Sequence, residues 1–265
     1  MRELRGKTAV VTGAASGIGA AIAKRLRDEG CRLALVDVDA DALRTSEGPG
    51  VTTHAMDVSD ARAWEALAAE VSEAHGDAGL LVNNAGITIH GAFADQALDD
   101  LDRIVDVNLK GVLYGCRAFL PQLRSAAGHI VNLSSLAGRV AFPYQSSYCA
   151  TKFAVRGFTA ALRMELSEDG IGVTAVLPGT VATRLLDVAR TYDRGASQAL
   201  AELMIRHGAR PEHVAERVLR AVRRNEAEVV IGWDAHLTTR AQALAPAALY
   251  GALAMGFRRR RRSSG

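Results

Sequence analysis

The chain has 265 residues; 49% are hydrophobic and 5% aromatic, enough apolar material for one large α/β domain rich in Ala, Val, Leu and Gly. The formal net charge is +3, and removing the run Arg258 to Arg262 turns it to −2, so the body is not basic and a nucleic-acid surface is excluded. Three dispersed cysteines (Cys31, Cys116, Cys149) exclude a disulfide framework, and neither they nor the scattered histidines have metal-ligand spacing.

Lys7 to Thr12 is a short β-rich run so near the N-terminus that no signal peptide fits, and a cytoplasmic protein is expected. Gly13-Ala-Ala-Ser16-Gly17-Ile18-Gly19 follows, then Ala20 to Glu29 at helical period with Gly30 as its stop. Strand, glycine turn and helix suit a pyrophosphate: glycines admit close approach, and the helix start offers free N–H groups. Arg32 to Val36 is the second strand and ends at Asp37. A carboxylate at that tip can bond both hydroxyls of an adenosine ribose and repels a 2′-phosphate. It can also cap the helix expected over Asp39 to Leu43, but Asp39 fills that role equally well and leaves Asp37 free for the ribose.

Val51 to Met56 is a third strand, ending at Asp57-Val58, and Ser59 to Ala74 is an amphipathic helix capped by Ser59 or Asp60. Gly79 to Val82 leads into Asn83-Asn84-Ala85-Gly86, where small and amide-bearing residues pin a turn and leave space beside a cofactor. Asp99 to Arg124 reads as one long helix with Asn108 inside it, either exposed or aimed at a buried site. Gly128 to Leu133 ends at Ser134-Ser135, and Val173 to Leu177 ends at Pro178-Gly179. Between them Tyr148 to Glu168 is a helix; Pro211 to Arg224 is another, before a last strand over Glu228 to Ile231. The alternation predicts a single-domain α/β fold: a Rossmann-type doubly wound parallel sheet of about seven strands, with the chemistry-bearing residues at strand carboxyl ends.

Tyr148 and Lys152 are four residues apart, one turn apart on one helix face. A free tyrosine titrates near roughly 10 and is a poor base at neutral pH. A nearby ammonium favours the phenolate, so the pair can tune a phenol toward proton transfer. The same spacing also occurs on many solvated helices, and the neighbouring motifs decide between the two.

Those motifs are Thr12-Gly13-x-x-x-Gly17-Ile18-Gly19, Asn83-Asn84-Ala85-Gly86, Asn108 in Val-Asn-Leu-Lys-Gly, Ser135 thirteen residues before Tyr148, and Pro178-Gly179 to Thr183. With Tyr148-x-x-x-Lys152 they stand in the order found in short-chain dehydrogenases/reductases, and the chain resembles that superfamily over roughly residues 5 to 185. The resemblance implies that Tyr148 gives or takes the proton of the substrate oxygen. Lys152 lowers the tyrosine pKa and bonds the nicotinamide ribose, Ser135 positions the carbonyl oxygen, and Asn108 holds a water linking Lys152 to solvent. Ser134, the alternative serine, should point to the other side of the strand end. The implied cofactor contacts are Gly13, Ser16, Gly17, Ile18, Gly19, Asp37, Asp57, Val58, Asn84, Ala85, Gly86, Pro178, Gly179, Val181 and Thr183, besides Tyr148 and Lys152. NAD(H) is expected over NADP(H), because of Asp37 and because no Arg or Lys stands at positions 14 to 16 or immediately after Asp37. Family members pair through two long helices, which implies a homodimer or homotetramer through Asp99 to Arg124 and Tyr148 to Glu168.

The substrate side is less legible. Residues 184–208 read as a lid carrying Leu185, Leu186, Val188, Tyr192, Leu200, Leu203 and Met204. Leu136, Val140, Phe142 and Tyr144 suit the opposite wall, so a lipophilic alcohol or ketone is expected. Trp233 to Phe257 is an apolar extension of the 1–257 domain, interrupted by Pro246 and followed by a basic, disordered tail over 258–265. It suits packing in the core or against another subunit, or contact with a membrane surface. Two other functions stay open: an NADPH-dependent 3-oxoacyl or ketone reductase, and a nucleotide sensor without turnover. The complete set of Ser135, Tyr148, Lys152 and Asn108 argues against the sensor.

Overall fold

The computed structural model describes residues 3–183, 190–193, 202 and 204–263. Nine strands lie among them: β1 (Thr8–Thr12), β2 (Arg32–Asp37), β3 (Val51–Ala55), β4 (Ala78–Asn83), β5 (Ile89–His90), β6 (His129–Leu133), β7 (Gly172–Pro178), β8 (Arg190–Thr191) and β9 (Glu228–Ile231). Seven form one sheet in the order β3-β2-β1-β4-β6-β7-β9, every pairing parallel. The chain starts at β1, winds outward to β3, then crosses to β4 and winds the other way. The carboxyl ends of β1 and β4 therefore flank the crevice where such sheets bind ligands. β1, β4, β6 and β7 are buried along their whole length, which is why they read as continuous apolar runs rather than alternating ones.

Helices cover both faces. On one, α1 (Gly17–Asp28) lies with the helix Pro211–Arg224, and Ile22 and Leu26 share a core with Val214, Val218 and Val222. After the short α2 (Ala40–Arg44), capped by Asp39, α3 (Ala61–His75) covers the other face with α5 (Gly111–Ser125) and α6 (Ser146–Glu165). There the Trp64 indole meets the Phe119 ring edge-on, with centroids 6.2 Å apart.

Two expected helices differ from the observed ones. The long helix is α4 (Leu98–Val105), one π-helical turn over Asp106–Lys110, then α5. That turn carries Asn108, and such bulges recur where a helix bends a side chain toward a site. The C-terminal extension is two helices. Numbering Pro211–Arg224 as α7, they are α8 (Trp233–Leu244) and α9 (Pro246–Ser263). Proline has no N–H to donate and disfavours helical geometry in the residue before it; Ala245 accordingly has φ −149° and ψ 67°.

Candidate active site

The glycine loop is fitted between β1 and β4. Gly13 has φ 64°, and a Cβ there would lie 2.7 Å from Asn84 Nδ2. A Cβ on Gly19 would lie 2.0 Å from the Gly13 oxygen, so the helix start can approach the strand end only with glycine at both places. Asn84 Nδ2 donates to the Thr12 and Gly13 oxygens at 2.9 and 3.1 Å, and Thr12 Oγ1 accepts from Asn84 N and Ala85 N. Ser16 caps α1 by backbone alone, without a side-chain cap bond, and Ile18 packs against the core. Thr183 closes over this loop, its Cγ2 3.3 Å from where a Gly17 Cβ would be.

Asp37 is not free, contrary to the sequence expectation. Its Oδ2 accepts from Ala15 N at 3.0 Å and its Oδ1 from Asp39 N at 3.2 Å. The glycine loop folds back onto the tip of β2, so its backbone needs an acceptor there. Each carboxylate oxygen keeps a second lone pair. Asp57 and Val58 also have protein partners. Burial works to raise the Asp57 carboxyl, but hydrogen bonds from Ser59 and Arg103 outweigh it and hold the group below its usual range. The Val58 carbonyl accepts from the Trp64 indole at 2.8 Å.

Tyr148 and Lys152 stand on α6 and are both buried, at 9% and 5% relative exposure. Lys152 Nζ donates to the Leu133 oxygen at 2.9 Å and sits 5.7 Å from the Tyr148 ring centroid. Ser135 accepts from Ala137 N through Oγ, and it is the side chain that works to lower the buried Tyr148 phenol. Ser134 turns the other way, as expected, and bonds the Lys152 carbonyl at 2.8 Å. Burial dominates the titration of both groups in this geometry. Burial pushes Tyr148 up to about 12, with only the Ser135 side chain pulling it down, and burial pushes Lys152 down to about 8. Desolvation penalises both charged forms more than this separation rewards their coexistence.

Asn108 is fully buried, which settles the choice between exposure and a buried site. Its Oδ1 accepts from Ile87 N at 2.8 Å, and its Nδ2 donates to the Ile87 oxygen and to Thr151 Oγ1. It thus clamps the loop after β4 to α6. Gly86 leaves room beside it: a Cβ there would be 3.1 Å from Asn108 Oδ1 and 3.4 Å from Lys152 Nζ.

The loop after β7 carries Pro178, Gly179, Val181 and Thr183. Gly179 N donates to the Ile231 oxygen, and Thr180 N donates to Asp234 Oδ2 at 2.8 Å. Sequence reasoning missed Asp234, whose partner lies 54 residues away. It also missed β5 and β8, which pair in parallel and bring Tyr192 against the cluster of Ile89, Ile104, Tyr148 and Cys149. Tyr192 donates to Asp100 at 2.6 Å and accepts from Ala97 N at 2.7 Å. Of the lid residues, Leu185, Leu186, Val188, Leu200 and Leu203 lie outside the described residues; Met204 is half-buried, and Ala209 bridges back to Val181. On the opposite wall Val140 is a core residue instead: it is fully buried with Leu136 and Ala235 under Leu249 and Leu253 of α9.

The comparisons with known proteins agree with this geometry. The family model for short chain dehydrogenase matches residues 7–194. SadH of Mycobacterium tuberculosis is 41% identical over 246 residues, 89% of each chain. A crystal structure of a short chain dehydrogenase/reductase from Burkholderia phymatum in complex with NAD is similar at a TM-score of 0.85 and 30% identity, covering 92% of this chain and 95% of that one. The 3-ketoacyl-(acyl-carrier-protein) reductase of Brucella melitensis complexed with NADH has a TM-score of 0.76 and 27% identity, covering 86% of this chain and 98% of that one. With a matching model over most of its length and a Tyr148, Lys152 and Ser135 cluster at the carboxyl edge of a doubly wound sheet, the chain belongs to the short-chain dehydrogenase/reductase family of oxidoreductases.

Proposed function

We propose that the protein interconverts a secondary alcohol and a ketone on a lipophilic small molecule, with NAD(H) as cofactor. The observation that carries the reading is the meeting of Ser135, Tyr148 and Lys152 beside the glycine-lined end of β1. The residues fit a dinucleotide: two glycines let the start of α1 lie close against the end of β1, and Ser16 leaves the start of α1 without a side-chain cap. Gly13, Ser16, Gly17, Ile18 and Gly19 would hold the pyrophosphate and Asp37 the adenosine ribose. Asp57 and Val58 would lie at the adenine, Asn84, Ala85 and Gly86 under the sugar, and Pro178, Gly179, Val181 and Thr183 over the nicotinamide. When bound, the nicotinamide supplies or accepts the hydride.

Tyr148, kept neutral by burial, holds the proton that a ketone oxygen needs as it becomes an alkoxide. Ser135 accepts from Ala137 N on one lone pair, and its hydroxyl proton can be donated to that oxygen. Lys152, anchored by one donor to Leu133, retains two for the nicotinamide ribose and for a water that Asn108 helps to hold. In the oxidative direction Tyr148 must first lose its proton, so oxidation should accelerate as pH rises while reduction does not. Tyr148→Phe is expected to lower turnover by about 10²–10⁴-fold with NADH binding retained, since only the proton handle is lost. A screen of secondary alcohols and ketones with each cofactor, followed by this variant, is the test. Ordinary turnover by Tyr148→Phe on the true substrate would overturn the mechanism.

A 3-oxoacyl thioester is the second reading, favoured by the likeness to the Brucella reductase. The same screen separates the two. Assembly as a homodimer or homotetramer is supported by an exposed stripe on α6, where Phe153 and Met164 flank Ala150, Gly157, Ala160 and Ala161. Peripheral contact with lipid is supported by the exposed apolar residues of α8 and α9 ahead of Arg258 to Arg262.

A further inference from the structure

Asp234 belongs to no motif recognised in the sequence, yet it is the group that anchors the loop after β7. β7 and β9 run in parallel, with Pro178 opposite Ile231, and Gly179 N donates to the Ile231 oxygen at 2.8 Å. The chain then turns at Gly232, whose φ of 107° is one that side-chain-bearing residues rarely adopt, and α8 begins. This turn swings Asp234 back over the loop, where Oδ2 accepts from Thr180 N at 2.8 Å. The carboxylate occupies space that two missing side chains leave. A Cβ on Gly179 would lie 2.5 Å from Oδ1, and a Cβ on Gly232 would lie 2.5 Å from the same atom. On its other side Thr180 is held by Ala209 N, which donates to the Thr180 oxygen at 2.9 Å. Thr180 is thus gripped at both backbone groups, and three residues on, Thr183 rests against Gly17 of the glycine loop.

We propose that Asp234 is a positioning residue for the cofactor: its bond to Thr180 N fixes the Pro178 to Thr183 loop in the shape that receives the nicotinamide. The inference rests on the dinucleotide reading given above. Asp234 acts through the loop, by its bond to Thr180 N. Its loss should therefore weaken the nicotinamide cofactor selectively, which a general loss of folding would not do.

The test uses the full chain. NADH binding to the wild type, followed by fluorescence titration, comes first; if wild type fails to bind, the dinucleotide reading itself fails, and Asp234 is not what has been tested. Given wild-type binding, Asp234→Ala should raise the NADH dissociation constant and the cofactor KM about tenfold, the loss of one hydrogen bond to a charged acceptor, with a smaller change in substrate KM. Asp234→Asn keeps an acceptor oxygen for Thr180 N and should return within about threefold of wild type. Should Asp234→Ala not fold, Asp234→Leu serves instead, because it keeps the side chain's bulk without an acceptor for Thr180 N, and the same cofactor-selective loss is expected. Unchanged cofactor affinity in the variant that folds would overturn the proposal. So would equal loss in Asp234→Asn and Asp234→Ala, or a rise in substrate KM matching that in cofactor KM.

Discussion

Asp37 meets two demands with one carboxylate. It bonds Ala15 N and Asp39 N, so it shapes the glycine loop, and it is the group proposed to hold the adenosine ribose. Replacing it by alanine would disturb the loop and the charge together. Asp37→Asn separates them better, because the amide keeps one acceptor and removes the charge that repels a 2′-phosphate. This variant is expected to narrow the preference for NAD(H) over NADP(H) by about tenfold, with a cost to the loop of about 1 kcal/mol for the lost bond. Steady-state efficiencies with both cofactors check it; a wild type more efficient with NADP(H) would remove the assignment. At this scale the identities of Ser135, Tyr148 and Lys152 were legible because their spacing is local. The state of the pair was not. Burial raises the tyrosine and lowers the lysine, and burial depends on β6, the Leu133 carbonyl and the loop after β4, none of them adjacent in sequence.

Strands and helices were legible where a period repeats over several residues. The four central strands are apolar on both faces, and α7 starts at Pro211 as its proline predicted. β5 and β8 are two residues long each, too short for any period, and their pairing joins positions about a hundred residues apart. They hold Tyr192 beside Tyr148, with its hydroxyl tied to Asp100 and Ala97 N; Arg190 adds an ion pair to Asp100. Tyr192 therefore fastens the β8 segment to the start of α4. Tyr192→Phe removes both hydrogen bonds and keeps the ring. If the β8 segment borders the substrate, the expected result is a substrate KM raised about threefold to tenfold with a smaller change in cofactor KM. If substrate KM did not move, the latch would have no part in shaping the pocket.

The whole molecule ends in two helices that have only partly found a place. Leu249 and Leu253 pack on Leu136, Val140 and Phe142, so α9 completes a core beside the catalytic helix. Trp233, at 73% exposure, Leu237 and Leu244 remain outside on α8, and Met255 on α9. Trp233, Leu237 and Leu244 recur at helical spacing and form an apolar face in water. No helix among the described residues is long and apolar enough to cross a membrane. Arg258 to Arg262 then supply five positive charges in sequence, each worth about 1 kcal/mol near an anionic surface. Apolar burial and a polybasic segment act as two weak signals that together hold a protein neither would hold alone. A second copy of the chain would cover the apolar face equally well. The full chain is therefore expected to sediment with anionic liposomes at low salt and less so at moderate salt, and a chain truncated after Phe257 to stay in solution. Trp64 is fully buried, so a blue shift of indole fluorescence on liposome addition would report on Trp233 alone. Equal recovery of both chains in the supernatant, with no spectral shift, would eliminate the lipid contact and leave the face to a partner subunit.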